Sequence, residues 1–213
     1  MNDRFFRSLK IPIFIYLVAH GVSIVYIKVV ILGNSETGKS TLINRLVTGT
    51  YTPNLTNTVG VNFLPMDIPA FDERIKETIK ILFWAFSGKE RFSFLMRLLR
   101  GTVVALLVFS VVDKSSFAAI KHSWLPYIYR YYAINSRKKD VEKPYILLIA
   151  NKIDLGYKMS KEHFERFALK YGIDFVETSA KTGRGIEDME NKIFTYVKSF
   201  VTRTLQKKIH SYA

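Results

Sequence analysis

The chain has 213 residues, of which 48% are hydrophobic and 23% charged, so it can bury a sizeable core and is not a disordered polymer. Its formal net charge of +14 favours polyanionic partners such as acidic membrane surfaces, nucleic acid or acidic proteins over a neutral surface. There is no cysteine, which excludes disulfides, thiolate metal sites, thiol nucleophiles, prenylation and palmitoylation.

The chain opens with a polar, basic stretch carrying Arg4, Arg7 and Lys10. An apolar run follows, IPIFIYLVAHGVSIVYI from Ile11 to Ile27. A basic start and a hydrophobic run fit a signal anchor, although the run is at the short limit for a span. Its Ile, Val and Tyr content suits strands, and its second half runs directly into KVVILG. Ser23 to Leu32 reads as one buried strand, and Ile11 to Ala19 as an added strand or helix packed on the domain.

After Leu32 comes a glycine-rich turn, then a helix over Lys39 to Val47. NTVGVNFLPMDI and ETIKILFWAF read as two strands joined by a turn around Pro69 to Arg74, with a helix near Glu90 to Leu99. TVVALLVFSVV and YILLIA are short continuous apolar runs, the pattern of strands buried on both faces. Between them, SSFAAIKHSWLPYIYRYY is helical, with Pro126 distorting or splitting it. SKEHFERFALKY is a helix with Ser160 as N-cap, and IDFVETS is a strand. The last helix carries Ile186, Met189, Ile193, Val197 and Phe200 at helical spacing. Strands alternating with helices predict an α/β fold with a mostly parallel sheet covered on both faces, and ligands at the carboxyl ends of its strands.

GNSETGKS, Gly33 to Ser40, fits G-x-x-x-x-G-K-[ST] in the required place, after a strand and before a helix. Gly33 and Gly38 let successive N–H groups turn toward phosphate oxygens, and the helix start adds positive potential. Lys39 is expected to reach the β- and γ-phosphates and Ser40 to give its hydroxyl to Mg²⁺. The expected cradle takes in Asn34, Ser35, Glu36, Thr37, Gly38, Lys39, Ser40 and Thr41. NKID follows the strand YILLIA directly. The Asp154 carboxylate can accept from guanine N1–H and the exocyclic amine, a pair that adenine lacks. SAK, comprising Ser179, Ala180 and Lys181, follows the next strand and can close over the base.

Taken in order, these motifs make the chain resemble the Ras-like small GTPases, and Rabs most of all. TVGVNF, Thr58 to Phe63, is similar to the Rab segment T-I-G-V-D-F. The resemblance covers about Val25 to Phe200. It implies a P-loop NTPase fold, the small G domain, with a six-stranded mostly parallel sheet. It also implies GTP or GDP with Mg²⁺ as ligands. By the same resemblance Thr58 closes on Mg²⁺ and the γ-phosphate, so that Ser40 and Thr58 hold the metal. Tyr51 packs on the guanine edge, Gly88 senses γ-phosphate, and Asn151, Lys152 and Asp154 read the base. The expected organisation is an N-terminal basic and apolar extension over 1–22, the G domain over 23–203 and a basic tail over 204–213.

One motif departs from the family pattern. The Rab second switch reads W-D-T-A-G-Q-E-R-F, whereas this chain has WAFSGKERF. Ala85 replaces the Asp that holds Mg²⁺ through water, and Lys89 replaces the Gln that orients attacking water. Loss of such an outer partner typically costs about 10–100-fold in metal affinity or activity. An ammonium such as that of Lys89 cannot accept a proton, although it can lie on the γ-phosphate. With Thr58, Gly88 and Lys89 as the residues nearest the chemistry, the expected function is a guanine-nucleotide switch with weak or partner-assisted hydrolysis. The alternative is a pseudo-GTPase interaction module that binds GTP without turnover. Glu36 stands where many relatives carry Gly and is expected to point to solvent. Expected partners are protein effectors and regulators at the switches, with peripheral contact at an acidic membrane and a cytoplasmic location. Nucleic acid is supported by net charge alone.

Overall fold

The computed structural model describes residues 13–19, 22–53, 61–70, 78–86, 99–135 and 142–209. The two apolar runs expected to be strands buried on both faces are the middle of a sheet. They are β5 (Val104–Ser110), buried along its whole length, and β6 (Tyr145–Asn151), buried from its second residue on. Around them lie β2 (Val22–Leu32), β3 (Val61–Asp67), β4 (Thr78–Phe86) and β7 (Asp174–Thr178), in the order β3-β4-β2-β5-β6-β7. β3 pairs antiparallel with β4, while the β4–β2, β2–β5, β5–β6 and β6–β7 ladders are parallel.

The open alternative at the N-terminus resolves to a strand. β1 (Ile13–Ala19) pairs antiparallel with β2, from Ile13 opposite Ile27 to Ala19 opposite Val22, and makes the sheet seven-stranded. β5 joins the same side of β2 only from Val29 onward, so β1 and β5 lie end to end along it. Within the expected extension, β1 therefore pairs into the same sheet as β2. No helix among the described residues is long and apolar enough to cross a membrane.

Because side chains alternate along a strand, each face of the sheet has its own core. On one face, Val29, Ile31, Phe83, Leu106 and Ile149 meet α1 (Lys39–Thr48) and the last helix, α5 (Ile186–Ile209). The periodicity of α5 places Met189, Ile193, Val197 and Phe200 in this core, all but inaccessible to solvent. Burying such a side chain is worth about 1.5–3 kcal/mol. The helix continues to Ile209, through the expected boundary of the basic tail. On the other face, Val30, Leu107, Phe109 and Leu148 meet α2 (Lys114–Ala119), α3 (Leu125–Asn135) and α4 (Lys161–Tyr171). Phe117 and Phe164 pack edge-on at 4.9 Å between centroids.

Pro126 acts as the sequence implied, and the interruption takes a specific form. A π-helical turn, Ile120–Trp124, joins α2 to α3, and the Leu125 N–H reaches back five residues to the Ile120 carbonyl. Asp113 caps α2 by accepting from the Ser115 N–H at 2.9 Å. Ser160 holds the N-cap position of α4, but its hydroxyl turns to the Glu162 carboxylate instead of the helix backbone. The helix expected near Glu90 to Leu99, apart from Leu99 itself, and part of the turn around Pro69 to Arg74 lie outside the described residues.

Candidate functional site

The carboxyl ends of β2, β6 and β7 bring together the three motifs that sequence placed there. The phosphate loop leaves β2 at Gly33, whose φ of 144° lies in the range that favours glycine; a Cβ there would stand 2.1 Å from the Val108 carbonyl oxygen of β5. Gly38, at φ 87°, closes the loop, and its Cβ would stand 2.5 Å from Asn151 Nδ2. Both glycines are thus required by shape as well as by torsion. Lys39 is only 5% exposed and folds its ammonium over the loop, donating to the carbonyls of Gly33 at 2.9 Å and Asn34 at 2.6 Å. A buried cation held by neutral carbonyls, at the start of a helix, is a fitting receptor for phosphate, since an anion makes the stronger charge-assisted bond. Ser40, in the first turn of α1, and Thr41 beside it are half-buried.

Glu36 is exposed, as expected, and it adopts a φ of 64°. Glycine adopts such a left-handed torsion without steric cost, and a glutamate there marks a local strain.

The base-side motif also carries bonds within the protein that the sequence does not announce. Asn151 is 1% exposed, and both ends of its amide are engaged within the protein. Its Nδ2 donates to the Thr37 carbonyl at 2.9 Å, and its Oδ1 accepts from the Thr178 hydroxyl at 3.2 Å. Asn151 is therefore a tie joining the phosphate loop, β6 and β7. Lys152 takes a φ of 67°, which turns the chain, and a Cβ on Gly38 would stand 3.6 Å from its Cε. The stem of Lys152 thus lies along the phosphate loop. Asp154 is exposed, and its Oδ1 accepts from the Ser179 hydroxyl at 2.6 Å. Ser179 Oγ in turn accepts from the Thr182 N–H at 3.1 Å. Ala180 is buried and Lys181 exposed beside them.

A second tie flanks this one. Glu177 accepts from the Tyr157 hydroxyl and from Lys161 Nζ at 2.7 Å, which pins the segment after Asp154 to β7. Burial works to raise the Glu177 carboxyl; the donors from Lys161 and Tyr157 outweigh it and hold the group below its ordinary value.

Several contributors were not read from sequence. Thr178 orients Asn151. The Arg184 carbonyl accepts from the Ser179 N–H at 2.9 Å, and Gly185 has no room for a Cβ, which would stand 1.8 Å from the Glu177 carbonyl oxygen. The T-G-R-G run after SAK, with its two glycines, is the signal that could have pointed to this tight loop. Trp124 reaches the phosphate loop from the π-turn, and nothing in the sequence pattern announced it.

On the metal side, Ala85 is 1% exposed, paired with Ile31 of β2 and Asn62 of β3, and it belongs to the apolar cluster that includes Leu42 and Ile43 of α1. The described residues contain no group of three or more His, Cys, Asp or Glu able to hold a metal. Ser40 fits a Mg²⁺ ion as a hydroxyl ligand. Thr58, Gly88 and Lys89 lie outside the described residues. Tyr51 is described and 39% exposed.

The Ras family model matches residues 28–199. The Ras-related protein RabJ of Dictyostelium discoideum is 33% identical over 196 residues, covering 86% of this chain and 70% of that protein. The Ras-related protein Rab-1 of Theileria parva is 32% identical over 179 residues, covering 83% and 76% respectively. A match spanning the phosphate loop, both base-side motifs and most of α5 leaves one assignment: the chain belongs to the Ras family, as a Rab-like small GTPase.

Proposed function

We propose that this chain binds GTP and GDP with Mg²⁺ and hydrolyses GTP slowly unless a partner assists. The observation that carries the slow step is Ala85. The position that offers a carboxylate to the metal in Rabs is here a methyl group packed in the core against α1. Lys39 and the loop N–H groups hold the phosphates, and Ser40 and Thr58 hold the metal. Bound Mg²⁺ supplies charge neutralisation at the β- and γ-phosphates. Asp154, positioned by Ser179, accepts from guanine and leaves adenine unmatched. Lys89 carries a donor-only ammonium where a water-orienting amide would serve hydrolysis. Intrinsic turnover in this fold is on the order of 10⁻⁴ s⁻¹ even with that amide.

The test is nucleotide identification on purified full-length chain, followed by single-turnover GTP hydrolysis in Mg²⁺. Guanine nucleotide should be bound and turnover slow, and the Ala85→Asp, Lys89→Gln double change should raise it. Absence of GTP and GDP binding in calorimetry removes the proposal. Tight binding with turnover at background, raised by no partner, turns the chain into a pseudo-GTPase module.

Protein effectors and regulators are proposed at the switches, where Phe63 is 48% exposed and edge-on to Trp84 at 4.5 Å. Peripheral contact with an acidic, cytoplasm-facing membrane surface is supported by the +14 charge. A patch at the end of α4 suits it, where Leu169 is 82% exposed beside Lys170 and Tyr171, and Lys143 lies over Tyr129 at 4.1 Å. Equal flotation with neutral and acidic liposomes would count against it.

A further inference from the structure

The phosphate loop is held from a side that ligand chemistry does not use. Trp124 ends the π-turn Ile120–Trp124, is 8% exposed, and sends its indole N–H to Asn34 Oδ1 at 3.1 Å. A π-turn holds one more residue than the α-helical turn it replaces, so it changes which side chains face a given neighbour. Pro126, just beyond, has no N–H to continue the α-helical ladder. The irregular turn and the contact to the loop thus occur at one place.

Asn34 is the second residue of the loop and a junction within it. Its carbonyl accepts from Lys39 Nζ at 2.6 Å and from the Thr37 hydroxyl at 3.0 Å. A phosphate in the cradle competes with that carbonyl for Lys39, and the charged acceptor makes the stronger bond. Thr37 belongs to the same loop and moves with it. Trp124 stands on a separate helix, 90 positions along the chain, packed in the core with Phe117, Leu125 and Ile128.

We propose that Trp124 is a positioning residue for nucleotide retention. Its bond to Asn34 fastens the floor of the phosphate loop to the helix between β5 and β6, so the loop keeps its phosphate-accepting shape when Lys39 turns to the ligand. Trp124 touches no ligand and acts through Asn34. The proposal rests on the guanine-nucleotide reading above.

The test uses full-length protein loaded with a fluorescent GDP analogue and chased with excess GDP in Mg²⁺. The forms compared are the parent, Trp124→Phe, which keeps an aromatic ring without the N–H, Asn34→Leu, which removes the acceptor, and the double variant. Loss of one neutral, part-buried hydrogen bond should speed release about two- to tenfold in each single variant, and the double should be no faster than either. A second readout follows from the chain's having two tryptophans. In a Trp84→Phe background Trp124 alone emits, and Asn34→Leu should shift its emission to shorter wavelength. Parent-like release from both single variants, effects that multiply in the double, or an unmoved emission would overturn the proposal. If Trp124→Phe does not fold, Asn34→Leu and the emission decide. If the parent itself holds no GDP, the nucleotide reading falls, and the emission still reports on the contact.

Discussion

Asn151→Asp exchanges one NH₂ for an oxygen and leaves the side chain's shape unchanged, which makes it a sharp probe of how the site is joined. In the parent, Nδ2 donates to the Thr37 carbonyl and Oδ1 accepts from the Thr178 hydroxyl; Thr37 and Thr178 are fully buried. Asp keeps the second bond and sets a carboxylate oxygen against the Thr37 carbonyl, acceptor against acceptor. Asn151→Ala removes both bonds and leaves two buried polar groups to be satisfied. At about 1–3 kcal/mol for each orphaned group, the Ala variant should lose about 2–6 kcal/mol. For a domain of this size that is a melting temperature about 4–24 °C lower. The Asp variant should lose at least as much near neutral pH. It should recover part of the loss in acid, where the protonated carboxyl again has a hydrogen to give. Thermal melts of the full chain followed by circular dichroism, with and without GDP, measure the loss, and analogue chase measures release. An Asp variant melting within about 2 °C of the parent, with unchanged release, would refute the reasoning, because the Thr37 bond would then carry no weight.

Burial lowers the Lys28 ammonium from its ordinary 10.5 to about 8. The unfolded chain therefore binds more protons between those values, so the Lys28 penalty is full below about pH 8 and fades as pH rises toward 10.5. Against Lys28→Met, parent stability in urea should improve by about 2–3 kcal/mol across that window, allowing for solvent screening; a constant difference would contradict the assignment. Glu36→Gly should relieve the left-handed torsion, worth about 1–2 kcal/mol, against about 0.5–1 kcal/mol of added chain entropy. The melting temperature should therefore rise by about 1–4 °C, and a fall would show that Glu36 makes a stabilising contact.

Local chemistry was legible in the sequence, and long-range contact was not. GNSETGKS, NKID and SAK each follow an apolar strand, so their placement at the ends of β2, β6 and β7 could be read from order alone. The spacing of Met189, Ile193 and Val197 likewise gave the buried face of α5. Asn151 matched a base-reading motif, yet that its amide also ties the phosphate loop to β7 depends on where Thr37 and Thr178 come to lie. Trp124 and Asn34 meet only because α2 and α3 pack on β5, and no local pattern encodes that. IFIYLVA has neither an amphipathic helical period nor a strict alternation, so its pattern admits a strand or a helix, and its pairing with β2 makes it a strand. Pro126 signalled an interruption, but whether the break would be a kink, a gap or a π-turn depends on packing.

The hairpin of β1 and β2 also bears on how the chain emerges from a ribosome. β2 is a long apolar strand whose parallel partners arrive late: Ile24 pairs with Thr78, and Val29 with Val104. Parallel ladders need distant segments and form slowly, and an apolar strand with open edges is an aggregation hazard while it waits. β1 is already synthesised when β2 appears, and Ala19 lies opposite Val22. Hairpins close in microseconds, whereas synthesis adds about 5–20 residues per second. The first strand thus gives the second a partner during synthesis, long before the rest of the sheet exists.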